Sequence, residues 1–509
     1  MREPRKSEFI SCYYRERTNA GDSPVIDDRT WADLDMDAVF QKLDRTRSSV
    51  GQARLYDMMR RPLFDGAALK ARTARIRALM DDPRGRMKLG KILSRLGVQR
   101  EGEVFQFLIS TSARIDDRKR YLYLALSGLA VLVIPVAVLL GLKGLLLVAV
   151  VMVVNLVLHY RFKPTVATEA PSFEYLHKLL AAAERLGRLD LGPIGAETRE
   201  LNELSRSLKK LTRKTLFLAT PAGVSGDILA MVMEYVRQYF LQEVTTYYFV
   251  YNEIIRRMDD LARVYGLVGE VDALAAVATI RKETPRMKTP EYADGVLFEA
   301  EDIVHPLLEA PVANSLGLQE KGIVITGSNM SGKSTFLRTI GVNQVLATTI
   351  CAAFARRLRT AALLTVTSIT NRDNILASES HYLVEAKRLL DILSAARGEH
   401  PALVIIDEIL SGTNSEERIA ASIRILRHLA GLNCRVVAAT HDRAIAADLE
   451  GAYGNLHFTH RVEEGGLEFD YKLREGIVEA GNAIRLLRLL GYPAQILEDL
   501  GEGPRGGAG

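Results

Sequence analysis

A chain of 509 residues, 48% hydrophobic and 25% charged, holds enough material for several domains with buried cores and does not read as a low-complexity polymer. Its net charge of +5 is small for that length and by itself selects neither nucleic acid nor acidic lipid as a partner. The cysteines, Cys12, Cys351 and Cys434, form no CxxC pair and no Cys/His cluster of zinc-ligand spacing, which argues against a disulfide framework or structural zinc and fits a reducing cytosolic setting.

Residues 1–33 are charged and lack an apolar h-region, so they read as an N-terminal segment and not as a signal peptide. Residues 34–120 read as helices joined by short polar turns, the first part of an all-α core domain. The next segment breaks the pattern. Between 121 and 160 the only formally charged residue is Lys143. A helix needs about 20 apolar residues to cross a bilayer. Residues 121–140 meet that length, and 145–160 cross with snorkelling ends or local thinning. Residues 141–144 are the expected turn, and Pro135 is tolerable in a membrane helix. Arg118, Lys119 and Arg120 precede the hairpin, and Arg161 and Lys163 follow it. Both flanks, and both termini, are then expected on the cytoplasmic side. The other reading of the same residues is a buried helical hairpin in a soluble core.

Residues 161–290 read as the second part of the helical core or lever. No Gly or Pro occurs between Gly226 and Gly266. A continuous helix there would reach about 60 Å. Tyr247, Tyr248, Phe249 and Tyr251 are expected to pack in the core and not to form a base-stacking platform. From 291 to 500 short β-rich runs at 323–326, 364–369, 402–406 and 435–440 alternate with helices, the rhythm of an α/β domain with a largely parallel sheet. The Gly-rich tail, 501–509, reads as disordered.

The chemistry concentrates in the α/β part. GSNMSGKST at 327–335 fits the phosphate-loop pattern GxxxxGK followed by Ser or Thr, with a strand before it and an apolar-periodic helix after it. Gly327, Ser328, Asn329, Met330, Ser331, Gly332, Lys333, Ser334 and Thr335 are the candidate nucleotide-binding residues. The glycines allow backbone N–H groups to cradle phosphate, and the helix N-terminus adds partial positive charge. Lys333 reaches the β- and γ-phosphates of ATP, and the Ser334 hydroxyl can ligate Mg²⁺. ALVIIDE at 402–408 is an apolar strand ending in two carboxylates. Asp407 can hold Mg²⁺ through water, and Glu408 can act as general base, unless the pair merely caps the next helix. VVAATH at 436–441 places His441 at a strand end, where it can sense a γ-phosphate and orient water. Ser380 opens a helical pattern; it is either a cap or a group aimed at the nucleotide of a second subunit.

These residues resemble the MutS family of DNA mismatch-repair ATPases, a branch of the ABC-type ATPases. The family's GPNMGGKST corresponds to GSNMSGKST, and its DEIGRGTST run is similar to DEILSGTNSEE at 407–417. ATHD at 439–442 is similar to its switch-histidine segment. ESHYLVEA at 379–386 resembles STFMVEM, which places Ser380 in the trans-acting position. AIRLLRLLGYP at 483–493 resembles the helix before the family's terminal GxP, and residues 39–62, with LDRT…G, resemble the start of its core domain. The resemblance implies an ATPase working as a homodimer through its ATPase domains, catalysed by Lys333, Glu408, His441 and Ser380 in trans, with Mg²⁺ at Ser334 and Asp407. It implies duplex or branched DNA as a partner, and relatives with a membrane hairpin imply the bacterial cytoplasmic membrane and its lipid bilayer. Three departures stand out. No Phe has Glu two positions later, so the family's mismatch wedge is missing. The stretch ahead of the core, about thirty residues, is too short for the domain that carries it. Pro311 and Val312 stand where an aromatic often underlies adenine.

Two functions follow. One is a membrane-anchored, MutS-like clamp that acts on DNA, with Lys209, Lys210, Arg213 and Lys214 either touching phosphates or forming a solvated helix face. The other is an ATP-driven switch of a membrane protein assembly that never touches DNA. A half-transporter fits poorly, because two short spans enclose no substrate path.

Overall fold

The computed structural model describes residues 7–19, 24–99, 104–111, 117–219, 228–318, 321–328, 331–369, 381–410, 414–463 and 466–478. The chain divides into two compact units. One comprises Met1–Asp22, Asp44–Asp57 and Ala74–Ile280, and the other comprises Ser23–Leu43, Met58–Thr73 and Arg281–Gly509.

The first unit is helical. Its long elements are α1 (Asp117–Leu140), α2 (Leu142–Gly187), α3 (Lys209–Ala219), α4 (Ile228–Tyr239), α5 (Gln242–Arg256) and α6 (Met258–Glu283), whose last residues pass into the second unit. The turn expected over 141–144 is tighter than that: Gly141, at φ +56°, closes it alone and helix resumes at Leu142. A Cβ on Gly144 would lie 2.4 Å from Ala137 Cα, so glycine there lets the two helices meet closely. The run without Gly or Pro between Gly226 and Gly266, which would allow one continuous helix, holds three helices instead. Leu241 adopts a left-handed φ of +48° and breaks α4 from α5, and Arg257 separates α5 from α6. No local residue signals that break; side chains from α1 and α2 bind the freed carbonyls, as described below. Tyr247, Tyr248 and Tyr251 are buried against Phe107, Phe162 and Phe173, as packing residues should be. The LDRT…G pattern shapes a buried acid. Asp272 accepts from Ser48 N and Oγ and from Arg47 N, and Gly51 leaves room for its carboxylate. Burial pushes the Asp272 carboxyl up to about 6, against those hydrogen bonds.

α1 and α2 are long and apolar enough to cross a membrane by length and composition. Their exposed surface includes Leu132, Leu139, Leu145, Leu146, Val150, Val153 and Val157, whereas the buried positions of α2 include Val151, Asn155 and His159.

The second unit is built on a six-stranded sheet. Its strands are β1 (Gly322–Thr326), β2 (Leu364–Ser368), β3 (Ala402–Asp407), β4 (Cys434–Thr440), β5 (Gly454–Glu463) and β6 (Gly466–Glu475), in the order β6-β5-β1-β4-β3-β2. All neighbours are parallel except β5 and β6. The central strands are apolar along nearly their whole length because helices cover the sheet. These helices include α7 (Lys333–Ile350), α8 (His381–Ala396) and α9 (Ser415–Ala430). A smaller four-stranded sheet joins Glu291–Tyr292, Arg357–Thr360, Phe298–Ile303 and Asn314–Gly317. The early segment Ser23–Leu43 is stitched to this unit: Asp33 accepts from Thr367 Oγ1 and Ile369 N, while Arg388 of α8 donates to Thr367 O and Thr30 Oγ1.

Candidate nucleotide site

The site forms where β1, β3 and β4 end on one edge of the sheet. Parallel pairing fixes this: Thr326 lies beside Thr440, and Asp407 beside Ala439. Chain segments leaving those ends therefore converge, the usual place for a ligand in an open α/β sheet.

The loop after β1 leads into α7. Gly332 sits at φ +103°, and a Cβ there would press on the Tyr471 ring at 3.0 Å. Only glycine suits that backbone. Lys333 is 5% exposed, and its Nζ donates to Gly327 O at 2.8 Å and Ser328 O at 2.9 Å. Burial holds its pKa below the usual lysine range, partly offset by Asp407 and Glu408. Ser334 Oγ donates to Asp407 Oδ2 at 2.5 Å. Burial pushes the Asp407 carboxyl up, and the adjacent Glu408 adds to this, while Ser334 and Lys333 oppose it.

Glu408 lies at φ +56°, a conformation uncommon outside glycine that concentrates at functional sites. Its N–H donates to Ala439 O, which ties the bend after β3 to β4. His441 Nδ1 stands 3.1 Å from Glu408 Oε1. Asp442, next in the chain, pairs with Arg418 of α9 at 3.0 Å.

A cavity of about 590 Å³, within the usual range for a small-molecule site, joins these groups to an apolar end. Ser328, Gly332, Lys333, Ser334, Thr335, Asp407 and Glu408 line one part, and His305, Leu308, Val312, Phe458 and Tyr471 line the other. Two buried polar atoms of the loop and cavity wall, Ser331 Oγ and His305 Nε2, have no hydrogen-bond partner. His305 accepts from Leu307 N through Nδ1, and burial lowers its pKa to about 4, so it is neutral at pH 7. Positive end, paired acids and apolar end together suit a nucleoside polyphosphate with a divalent cation.

The structure thus brings Gly327, Ser328, Gly332, Lys333, Ser334, Asp407, Glu408 and His441 to one place. Asn329, Met330 and Ser380 lie outside the described residues, as do 483–493 and the tail. Sequence reasoning missed the far wall. It left base stacking in doubt at Pro311 and Val312, whereas Phe458 and Tyr471 bring aromatic rings from β5 and β6. Asn314 holds β6 in place, donating to Tyr471 O and accepting from Leu473 N. Nothing local marks these residues; only the strand order brings them to the loop. Arg418 was likewise missed, although it lies one residue beyond the DEILSGTNSEE run.

Residues 323–502 match the family model of MutS domain V. Over 255 residues the chain is 31% identical to the DNA mismatch repair protein MutS of Natronomonas pharaonis, an alignment covering 48% of this chain and 29% of that protein. Over 257 residues it is 30% identical to the DNA mismatch repair protein MutS 2 of Halobacterium salinarum, covering 48% and 29%. Over 304 residues it is 29% identical to the Endonuclease MutS2 of Carboxydothermus hydrogenoformans, covering 56% and 37%. The matched regions are thus 29% to 37% of the length of these relatives. Residues 323–502 are therefore similar to MutS domain V, and through them the chain is homologous to MutS and MutS2 proteins.

Proposed function

We propose that this protein is a membrane-anchored, MutS-type ATPase that works as a dimer and acts on DNA. The observation that carries the ATPase reading is the convergence of Lys333, Ser334, Asp407 and Glu408 on one cavity, with His441 beside Glu408. Lys333 would exchange its bonds to Gly327 O and Ser328 O for phosphate oxygens. Ser334 and Asp407, already in contact, would hold Mg²⁺, which neutralises charge on the β- and γ-phosphates when bound. Glu408 takes the proton of the attacking water, and His441 orients its carboxylate. Tyr471 and Phe458 supply faces for the base, and neutral His305 an open N–H.

Membrane anchoring rests on inverted polarity. The outer surface of α1 and the first half of α2 is mostly apolar and rich in Leu and Val, while Asn155 and His159 turn inward. A hairpin in a soluble core would bury the apolar face instead. Polar groups facing the protein and apolar groups facing outward is the arrangement a bilayer requires.

The DNA part extends what the relatives' names say of those proteins, and the dimer part rests on the resemblance that puts Ser380 in a trans-acting position. Ser380 of each subunit would complete its partner's site, so mixing Ser380→Ala with Glu408→Gln subunits should restore turnover through one intact site. No recovery would count against trans action. DNA contact is tested by binding duplex, mismatched and branched DNA across a salt series with the detergent-solubilised protein. A log-affinity that falls steeply with log salt supports it; a slope near zero, or no binding, favours an ATP-driven switch of a membrane assembly.

A further inference from the structure

The turn between α4 and α5 sits against the middle of the hairpin. Tyr239 and Phe240, together with Val148, pack against a buried cluster of Ala130, Val133 and Val151. Ala130 and Val133 lie near the centre of α1's apolar run, so whatever surrounds them surrounds the turn. A helix end leaves its last carbonyls unsatisfied. Here both hairpin helices supply donors: Asn155 Nδ2 donates to Tyr239 O at 2.7 Å, and Ser127 Oγ to Phe240 O at 2.8 Å.

The chain leaves this turn alongside α2. Glu243 stands 3.5 Å from His159, and Tyr247 and Tyr251 donate to Glu169 further along. On the α4 side, the Arg237 guanidinium lies over the Phe217 ring of α3, and α3 in turn meets α2 at His177. Both sides thus run toward the C-terminal half of α2. Val232 and Tyr235 of α4 are about half exposed, and Val236 is exposed as well.

From this juxtaposition we infer that α4 and α5 form a third membrane-embedded element, a re-entrant helical hairpin whose turn reaches the bilayer midplane and whose outer face meets lipid acyl chains. The inference rests on the membrane reading above. Broken helix at membrane depth is tolerated only where protein groups satisfy its backbone. Asn155 and Ser127 do that here, which explains polar residues in an otherwise apolar hairpin.

Depth-dependent fluorescence quenching tests this. Val232→Trp, Tyr235→Trp, Leu132→Trp on the hairpin and Lys210→Trp on the exposed face of α3 are placed singly in the full chain. Each is reconstituted in phosphatidylcholine vesicles with or without acyl-chain bromines. The native Trp31, buried in the other unit, sets the baseline. Expected is a two-fold or greater added loss of emission at 232, 235 and 132, and little at 210. Quenching at 132 but not at 232 or 235 would overturn the re-entrant hairpin and leave the membrane anchor standing. No quenching at 132 would overturn the anchor, and the proposal with it.

Discussion

The two units place similar side chains in opposite ways. In the α/β unit, Val324, Ile325, Val404, Ile405 and Val436 vanish into the sheet and the charged groups gather at its edge. Along α1 and the first half of α2, Leu and Val lie outside while Asn155 and His159 are enclosed. If the hairpin lies in a bilayer, as proposed, the contrast follows from the surrounding medium and not from residue type alone. Water drives apolar side chains inward. Lipid exerts no such drive, so packing and hydrogen bonds decide what faces inward.

The contrast can be broken most sharply at the site. Lys333→Ala and Glu408→Gln should each reduce ATP turnover by at least about 10²-fold, the scale of losing one preorganised catalytic group. Steady-state phosphate release measures this, and unchanged rates would remove the assigned chemistry. The hairpin offers the next largest effect. Val153→Arg puts a charge on an exposed face; in a bilayer that costs about 3 kcal/mol and should shift protein out of the membrane fraction. If the face meets water, fractionation will not change.

Acidity should separate the units by sign. Burial holds His305 at about 4 instead of 6.5. Below pH 6.5 the unfolded chain takes a proton that the folded α/β unit refuses. Its stability should therefore fall between pH 6.5 and 4, by up to about 3 kcal/mol, and His305→Gln should flatten that slope. Asp272, raised from 3.8 to about 6, behaves oppositely. As pH drops through 6 the folded helical unit binds a proton before the unfolded chain does, so this group's penalty fades and is gone below about 3.8. Hydrogen exchange read separately in the two units would show whether the slopes differ in sign. A smaller effect is expected at Tyr471→Ala. Loss of a stacking face worth about 1–3 kcal/mol should raise KM for ATP with little change in kcat. An unchanged KM would remove the ring from the base site.

How much of this was readable beforehand depended on how local the determinant is. The phosphate loop and the Asp407–Glu408 pair were legible because their chemistry needs adjacent residues at fixed spacing. The parallel strands were legible because each is short, apolar and bounded by turns. The apolar run of the hairpin was legible, but not its one-residue turn, since Gly144 serves helix contact and not the reversal, nor the continuation of the helix expected over 145–160 as far as Gly187. The break at Leu241 was hidden because its stabilising donors, Asn155 and Ser127, come from more than eighty residues away in sequence. Tyr471 and Asn314 were hidden for the same reason: 157 positions separate them. The register of β6 along β5 carried no signal in either strand alone.

If a hydrolytic site of MutS type operates in a membrane-held chain, its chemistry should be visible in a single turnover. The most direct test is single-turnover hydrolysis of radiolabelled ATP by the detergent-solubilised protein beside its Glu408→Gln variant, with bound nucleotide measured in both. The account predicts that both bind Mg-ATP and that only the parent converts it to ADP and phosphate. Equal conversion by the two, or failure of the parent to bind, would contradict it.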